Sequence, residues 1–213
     1  MSEAEATYVS RGGYKLAAAL DAFSIDLRGA VCADLGCSTG GFTDCMLQRG
    51  AAKVYAVDTA YGQLAWKLRQ DPRVTVLERT NALHFDPMTL EEFTGCDLVT
   101  IDMSWTRQQH AVPAALRWVK RGPMGEATGR IISLIKPHYE QAQPPQHGRR
   151  GRGNPKQVIL DASQARQVLE ATLATLPRFG VEVAQWIESP IRGGAKGGQG
   201  NIEYLALLIP QPV

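Results

Sequence analysis

The chain predicts one α/β domain built on a mostly parallel sheet of seven strands with an antiparallel last strand, and three observations predict it. Short apolar runs alternate with helical segments over most of its length, the pattern left by parallel strands joined through crossover helices. Two of those runs, Leu98 to Ile101 and Ile131 to Ile135, are apolar almost throughout, as strands covered on both faces must be. Each closes on a charge, Asp102 and Lys136, placed just past the C-terminal strand end where open sheets bind their ligands.

Each element can be justified in turn. After Gly13, the segment from Tyr14 to Phe23 puts Leu16, Ala19, Leu20 and Phe23 on one helical face. Val31 to Cys37 is the first strand, ending in Asp34, Gly36 and a turn, and Gly40 to Gly50 is a helix closed by its last glycine. Lys53 to Thr59 is the second strand, Gln63 to Gln70 a helix, Val74 to Arg79 the third strand and Thr89 to Phe93 a short helical piece. Cys96 to Met103 is the fourth strand, and Gln108 to Val119 is a helix that Pro113 can bend. Gly129 to Lys136 is the fifth strand.

Residues 141–156, rich in Pro, Gly and Arg, suit a mobile basic loop better than a packed element. A long helix from Val158 to Leu176 follows. Val181 to Ser189 and Ile202 to Ile209 are two late strands with no room for a helix between them, so they pair antiparallel. No internal repeat or second domain is evident; residues 1–213 form one domain, with residues 1–7 expected to be disordered.

Composition narrows the class. At 213 residues with 44% hydrophobic and 21% charged residues, the chain suits a soluble globular protein with its own core. Its net charge of +2 is neutral on the question of nucleic acid. The charge is uneven, however: Arg149, Arg150, Arg152 and Lys156 fall within ten residues that hold no acid. A solvated loop and a phosphate-contacting loop explain that run equally well. Cys32, Cys37, Cys45 and Cys96 form no CxxC pair and no metal-binding spacing, so no metal is expected and the thiols read as reduced, in a cytoplasm. The N-terminus lacks the apolar stretch of a signal peptide, and no apolar run is long enough to span a bilayer.

The turn after the first strand runs from Asp34 through Gly36, Cys37, Ser38, Thr39, Gly40 and Gly41 to Phe42. Its glycines miss the GxGxxG dinucleotide spacing, and no Gly-Lys-Ser or Gly-Lys-Thr makes it a P-loop. It matches the DxGxxxGG turn of class I methyltransferases, and the resemblance implies that Asp34, Gly36, Ser38, Thr39, Gly40, Gly41 and Phe42 hold S-adenosylmethionine, small residues letting the cofactor lie close to the backbone. Asp58, ending the second strand, can accept two hydrogen bonds from a ribose diol. Asn81 reads equally as a turn residue and as an adenine contact.

Lys15, Asp102, Lys136 and Glu203, in that order, resemble the catalytic tetrad of FtsJ-like RNA 2′-O-methyltransferases. The segments from Tyr8 to Phe23, Ala33 to Ala51, Val54 to Val74 and Leu77 to Asn81 are similar to the hemolysin A (TlyA) branch of that family. The resemblance covers nearly all of residues 8–209 and implies a class I, Rossmann-like methyltransferase that modifies cytidine 2′-hydroxyls of ribosomal RNA. It makes Lys136 the general base, with Asp102 holding it and facing the methyl group, and Lys15 and Glu203 completing the ring. A lysine base must be neutral; burial or a second cation favours that form, and nearby carboxylates oppose it. Sequence does not say which wins.

Three departures from the family concern the substrate. The usual N-terminal S4 RNA-binding domain has no counterpart here, Leu83 stands where the family has Arg, and Trp105, Thr106, Arg107 and Gln108 replace an apolar continuation. RNA contacts are therefore expected from Arg11, from Arg149, Arg150, Arg152 and Lys156, from Arg192 and Lys196, or from an RNA-binding partner. The cytolysin name carried by this branch would need a membrane-active segment, and the long helix is too polar to supply one. Two other readings share the scaffold: a small-molecule or protein methyltransferase, and a non-catalytic RNA-binding protein.

Overall fold

A computed structural model of the protein describes residues 7–141, 159–194 and 200–212. The described elements are α1 (Gly12–Ala22), β1 (Val31–Leu35), α2 (Gly41–Gln48), β2 (Lys53–Val57), α3 (Trp66–Arg69), β3 (Val74–Leu77), β4 (Leu98–Ile101), α4 (Gln108–Leu116), β5 (Arg130–Ile135), α5 (Pro137–Glu140), α6 (Ala162–Thr175), β6 (Val181–Glu188) and β7 (Tyr204–Pro210). All seven strands join one sheet in the order β3-β2-β1-β4-β5-β7-β6. β1 to β5 pair in parallel, and β7 runs antiparallel to both β5 and β6, as the short β6–β7 connection requires.

The alternation of side chains along each strand divides the core into two layers. Ala33, Leu35, Tyr55, Val57, Val99, Ile101, Ile131 and Ile135 face α4 and α6, around the buried Trp118. Cys32, Val54, Ala56, Leu98, Ile132, Leu134, Leu205 and Leu207 face α1, α2 and α3, against Leu16, Leu20, Phe42 and Met46. All four cysteines are buried and unpaired. Among the described residues, no helix is long and apolar enough to cross a membrane.

Several boundaries differ from expectation because tertiary ties override local propensity. The helix expected over Gln63 to Gln70 keeps only α3, because Ala65 is extended and its N–H reaches the Thr39 carbonyl at 3.2 Å. The piece expected at Thr89 to Phe93 is instead a 3-10 turn over Pro87–Thr89, with Asp86 accepting from the Met88 N–H and Glu92 at φ +55 closing the way to further helix. α4 stops at Leu116, since Val119 leaves to bridge Cys96. α6 starts at Ala162, where Asp161 and Gln164 form a reciprocal capping box.

Residues 142–158, 195–199 and 1–6 lie outside the described residues. The expected mobile loop, with Arg149, Arg150, Arg152 and Lys156, falls there apart from Gln141, as do Lys196 and all of the expected disordered N-terminus except Thr7.

Candidate active site

The sheet order reverses between β1 and β4, and a crevice opens beyond the C-terminal strand ends at such a reversal. Gly36 follows β1, Asp58 follows β2, Asp102 follows β4 and Lys136 follows β5. Because β7 is antiparallel, its beginning lies at this same rim, and Glu203 directly precedes it. Lys15 comes from the buried face of α1. Six stretches of chain thus converge on one crevice.

The four tetrad candidates line a single cavity of about 310 Å³, together with Ser10, Arg11, Gly193 and residues of the glycine turn. They are organised as two ion pairs. Lys15 Nζ donates to Glu203 Oε2, with both side chains nearly buried. Lys136 Nζ donates to Asp102 Oδ1, the carboxylate keeping about a quarter of its surface exposed. Lys136 precedes Pro137, which opens α5; the residue before a proline is held extended, here at φ −114 and ψ 93, and so cannot join the helix. Burial alone would lower the Lys136 pKa, but the Asp102 carboxylate, reinforced by Glu203, outweighs it and raises the value above that of an ordinary lysine. Lys136 is therefore an ammonium at rest. His138 shows the opposite balance, its pKa lowered by burial and by the Lys136 charge.

A second cavity, of about 670 Å³, adjoins the first and shares Gly36, Ser38, Asp102 and Lys136 with it. Asp58, Thr80, Asn81, Leu83 and Trp105 line its far part. Asp58 Oδ2 accepts the Ser38 N–H and its Oδ1 accepts the Ala60 N–H, both at 2.8 Å. A carboxylate has about four acceptor positions, so two remain for a ribose diol. Asn81 spends its carbonyl oxygen on the Leu83 N–H at 3.0 Å. It is a turn residue first, with its amide nitrogen left for a ligand.

The glycine turn departs from expectation in one respect. Gly36 and Gly40 have φ of +90 and +94, a region L side chains rarely enter. A Cβ on Gly36 would lie 2.8 Å from the Asp102 carbonyl carbon, and one on Gly40 would lie 2.7 Å from Leu64 Cδ1. These glycines are needed by the protein's own packing, and Gly36 in particular lets the turn nest against the segment that carries Asp102. Asp34 is likewise engaged internally. It accepts from Thr43 N and Oγ1 at 2.9 and 2.7 Å and from Thr100 Oγ1 at 3.1 Å. Burial pushes its pKa up to about 6 against these bonds. Phe42 packs in the core beneath the N-terminal segment, while Ser38 and Thr39 are exposed at the cavity mouth. Together the turn, Asp58 and the adjoining cavity form a cradle that fits S-adenosylmethionine: small at the turn, acceptor-rich beside β2.

Of the expected RNA contacts, Arg11 and Arg192 are described and exposed. Arg11 Nη2 donates to the Gly194 carbonyl at 3.0 Å, which commits one of its five donors to the protein. Sequence reasoning passed over Ser10, Gly193 and Gly194 as site residues. The paired glycines at 193 and 194 were a readable signal of close backbone approach.

This sheet order and rim define a class I S-adenosylmethionine-dependent methyltransferase. The FtsJ-like methyltransferase family matches residues 8–207, and the chain belongs to that family. The chain is 39% identical over 213 residues to the 16S/23S rRNA (cytidine-2′-O)-methyltransferase TlyA of Mycobacterium tuberculosis, a match spanning 99% of this chain and 72% of the relative. A solved structure of a hemolysin-named protein from Streptococcus thermophilus superposes with TM-score 0.81 at 37% identity, over 99% of this chain and 70% of the other. Fibrillarin from Aeropyrum pernix, with natively bound S-adenosyl-L-methionine, shares the fold at TM-score 0.61 and 17% identity, over 93% of this chain and 76% of the other.

Proposed function

We propose that the protein methylates the ribose 2′-hydroxyl of a cytidine in ribosomal RNA, with Lys15, Asp102, Lys136 and Glu203 as its reaction centre. The observation that carries this reading is the convergence of those four side chains on the 310 Å³ cavity where it meets the cradle. The relative from Mycobacterium tuberculosis is named for the same reaction on 16S and 23S rRNA. A small-molecule or protein substrate has no need of two ammonium–carboxylate pairs on one cavity, and a non-catalytic binder has no reason to keep them.

S-adenosylmethionine supplies a methyl group on a sulfonium that leaves as a neutral thioether. The chain must hold the hydroxyl in line and remove its proton. Lys136 lies where both cavities meet and is the base in this reading. Since its pKa is raised at rest, only a small neutral fraction is present near pH 7, and that fraction grows about tenfold per pH unit. Asp102 orients the amine, and the Lys15–Glu203 pair fixes the wall opposite.

The raised pKa also favours a second reading. Lys136 then stays an ammonium that orients the hydroxyl oxygen, and Asp102 receives the proton. The two differ in sign with pH. A neutral-lysine base makes log kcat climb with a slope of about one through pH 7–9, whereas an ammonium role leaves kcat flat there and lowers it only once the lysine deprotonates.

RNA binding is assigned to the exposed Arg11 and Arg192 and to Arg149, Arg150, Arg152, Lys156 and Lys196, or to a partner that supplies the contact. Trp105 adds a ring that is 76% exposed at the mouth of the larger cavity, free to stack on a base. The hemolysin name of the Streptococcus relative finds no support in a membrane-crossing helix among the described residues. The reading places the protein in the cytoplasm with its ribosomal substrate. The test uses methyl-labelled S-adenosylmethionine with unmodified ribosomal subunits and with their extracted RNA, followed by digestion to nucleosides. Label in 2′-O-methylcytidine, lost in Lys136→Ala, is the expected result. Label in another nucleoside, or in none despite donor binding, overturns the assignment.

A further inference from the structure

Glu203 owes its position to a glycine on the opposite side of its own hairpin. The connection between β6 and β7 folds back on itself, so that Gly193 bridges Asn201, with the Gly193 N–H donating to the Asn201 carbonyl at 2.9 Å. Ser189 N–H donates to the Glu203 carbonyl at 2.8 Å. These bonds leave Gly193 buried with its α-carbon against the Glu203 side chain. A Cβ there would overlap Glu203 Oε1, lie 2.5 Å from Cδ and 3.3 Å from Cγ. Retreat is closed from behind, because Gly200 is packed so tightly that its own Cβ would sit 2.8 Å from the Gly193 carbonyl carbon. Sideways movement is opposed by the Arg11 bond to the Gly194 carbonyl.

Gly193, unlike Gly194 at φ +91, is not among the positive-φ glycines. An alanine at 193 is therefore allowed by its backbone, and the clash is the whole of its cost. Between a bridged backbone and the free end of a glutamate, the glutamate moves. Its Oε2 then leaves Lys15 Nζ, a nearly buried ammonium that has no other hydrogen-bond partner among the described residues. Stripping one member from a buried pair leaves an uncompensated charge.

We infer that Gly193 is a positioning residue for methyl transfer: its missing side chain is the space that lets the Glu203 carboxylate reach Lys15. The reaction role rests on the function proposed above, while the steric coupling of Gly193 to Glu203 does not. The experiment compares Gly193→Ala in three backgrounds, wild type, Glu203→Asp and Glu203→Ala, reading kcat and KM for RNA, S-adenosylhomocysteine affinity by calorimetry, and Tm. In the wild-type background kcat should fall by about tenfold or more, with cofactor affinity changed less than about threefold. Glu203→Asp draws the carboxylate back by one methylene, so in that background Gly193→Ala should cost less than about threefold further. An equal loss in both backgrounds, or an unchanged kcat in wild type, overturns the inference. If Gly193→Ala lowers Tm or fails to fold, the clash predicts that Gly193→Ala/Glu203→Ala keeps the Tm of Glu203→Ala, and a further drop overturns it. Should the wild type transfer no methyl to RNA, the proposed function fails, yet the Tm comparison still decides whether Gly193 sets Glu203.

Discussion

On the β1–β2 side of the site, carboxylates are held by backbone N–H groups and uncharged hydroxyls. Asp58 takes N–H groups from Ser38 and Ala60, and Asp34 takes Thr43 and Thr100. On the β4–β5–β7 side, carboxylates are held by ammonium groups from remote segments, Glu203 by Lys15 across 188 positions and Asp102 by Lys136 across 34. Uncharged donors of this kind add no titrating group to the site. Ammonium partners bring charge, depend on side-chain geometry and can exchange protons. In the proposed function the first side binds and the second reacts.

The widest test of that division is Lys136→Ala. It should lower kcat by about 10²–10⁴, the range for loss of a general acid–base group, with S-adenosylhomocysteine affinity nearly unchanged in calorimetry. A parallel loss of cofactor affinity would erase the distinction between the two sides. Asp58→Ala should do the reverse. Its affinity for S-adenosylhomocysteine should weaken by about 10–100-fold, as for lost hydrogen bonds to a charged group, while kcat at saturating donor stays within a few-fold.

Trp105→Ala sharpens the comparison by touching neither set of carboxylates. Loss of base stacking should weaken RNA binding by about 1–3 kcal/mol in a filter or anisotropy assay, with donor affinity unchanged. An effect of similar size, read in stability alone, lies in Asp34. Its folded-state pKa is raised from 3.8 to about 6, so the folded protein binds more protons than the unfolded chain between those values. Stability should therefore decline as pH rises through that window, by about 1–3 kcal/mol from this group. Thermal melts from pH 4 to 7 should show the slope, and Asp34→Asn should flatten it.

The division also explains what could be read from the chain. β1 to β5 announce themselves as apolar runs, and Asp58, Asp102 and Lys136 are legible because a charge just past such a run has few structural uses. Lys15 sits on an alanine-rich helix and Glu203 before an ordinary apolar strand; only family resemblance singled them out, because their partners lie at the other end of the sequence. The pair at 193 and 194 signals a close approach, but the neighbours that Gly36 and Gly193 make room for were illegible for the same reason: proximity along the chain does not reveal them. Helix ends were misjudged where a tertiary bond, such as Ala65 to Thr39 or Val119 to Cys96, took the backbone away from helical pairing.

The insertion of β7 between β5 and β6 makes one strand responsible both for the far end of the sheet and for one corner of the site. Among the described residues β6 pairs with no strand but β7, and β7 alone covers the β5 edge that faces away from β4. Seating β7 between them closes the sheet and brings Glu203 to Lys15. The cradle beside β1 and β2 takes no lining residue from β7, whereas the Lys15–Glu203 pair exists only with β7 in place.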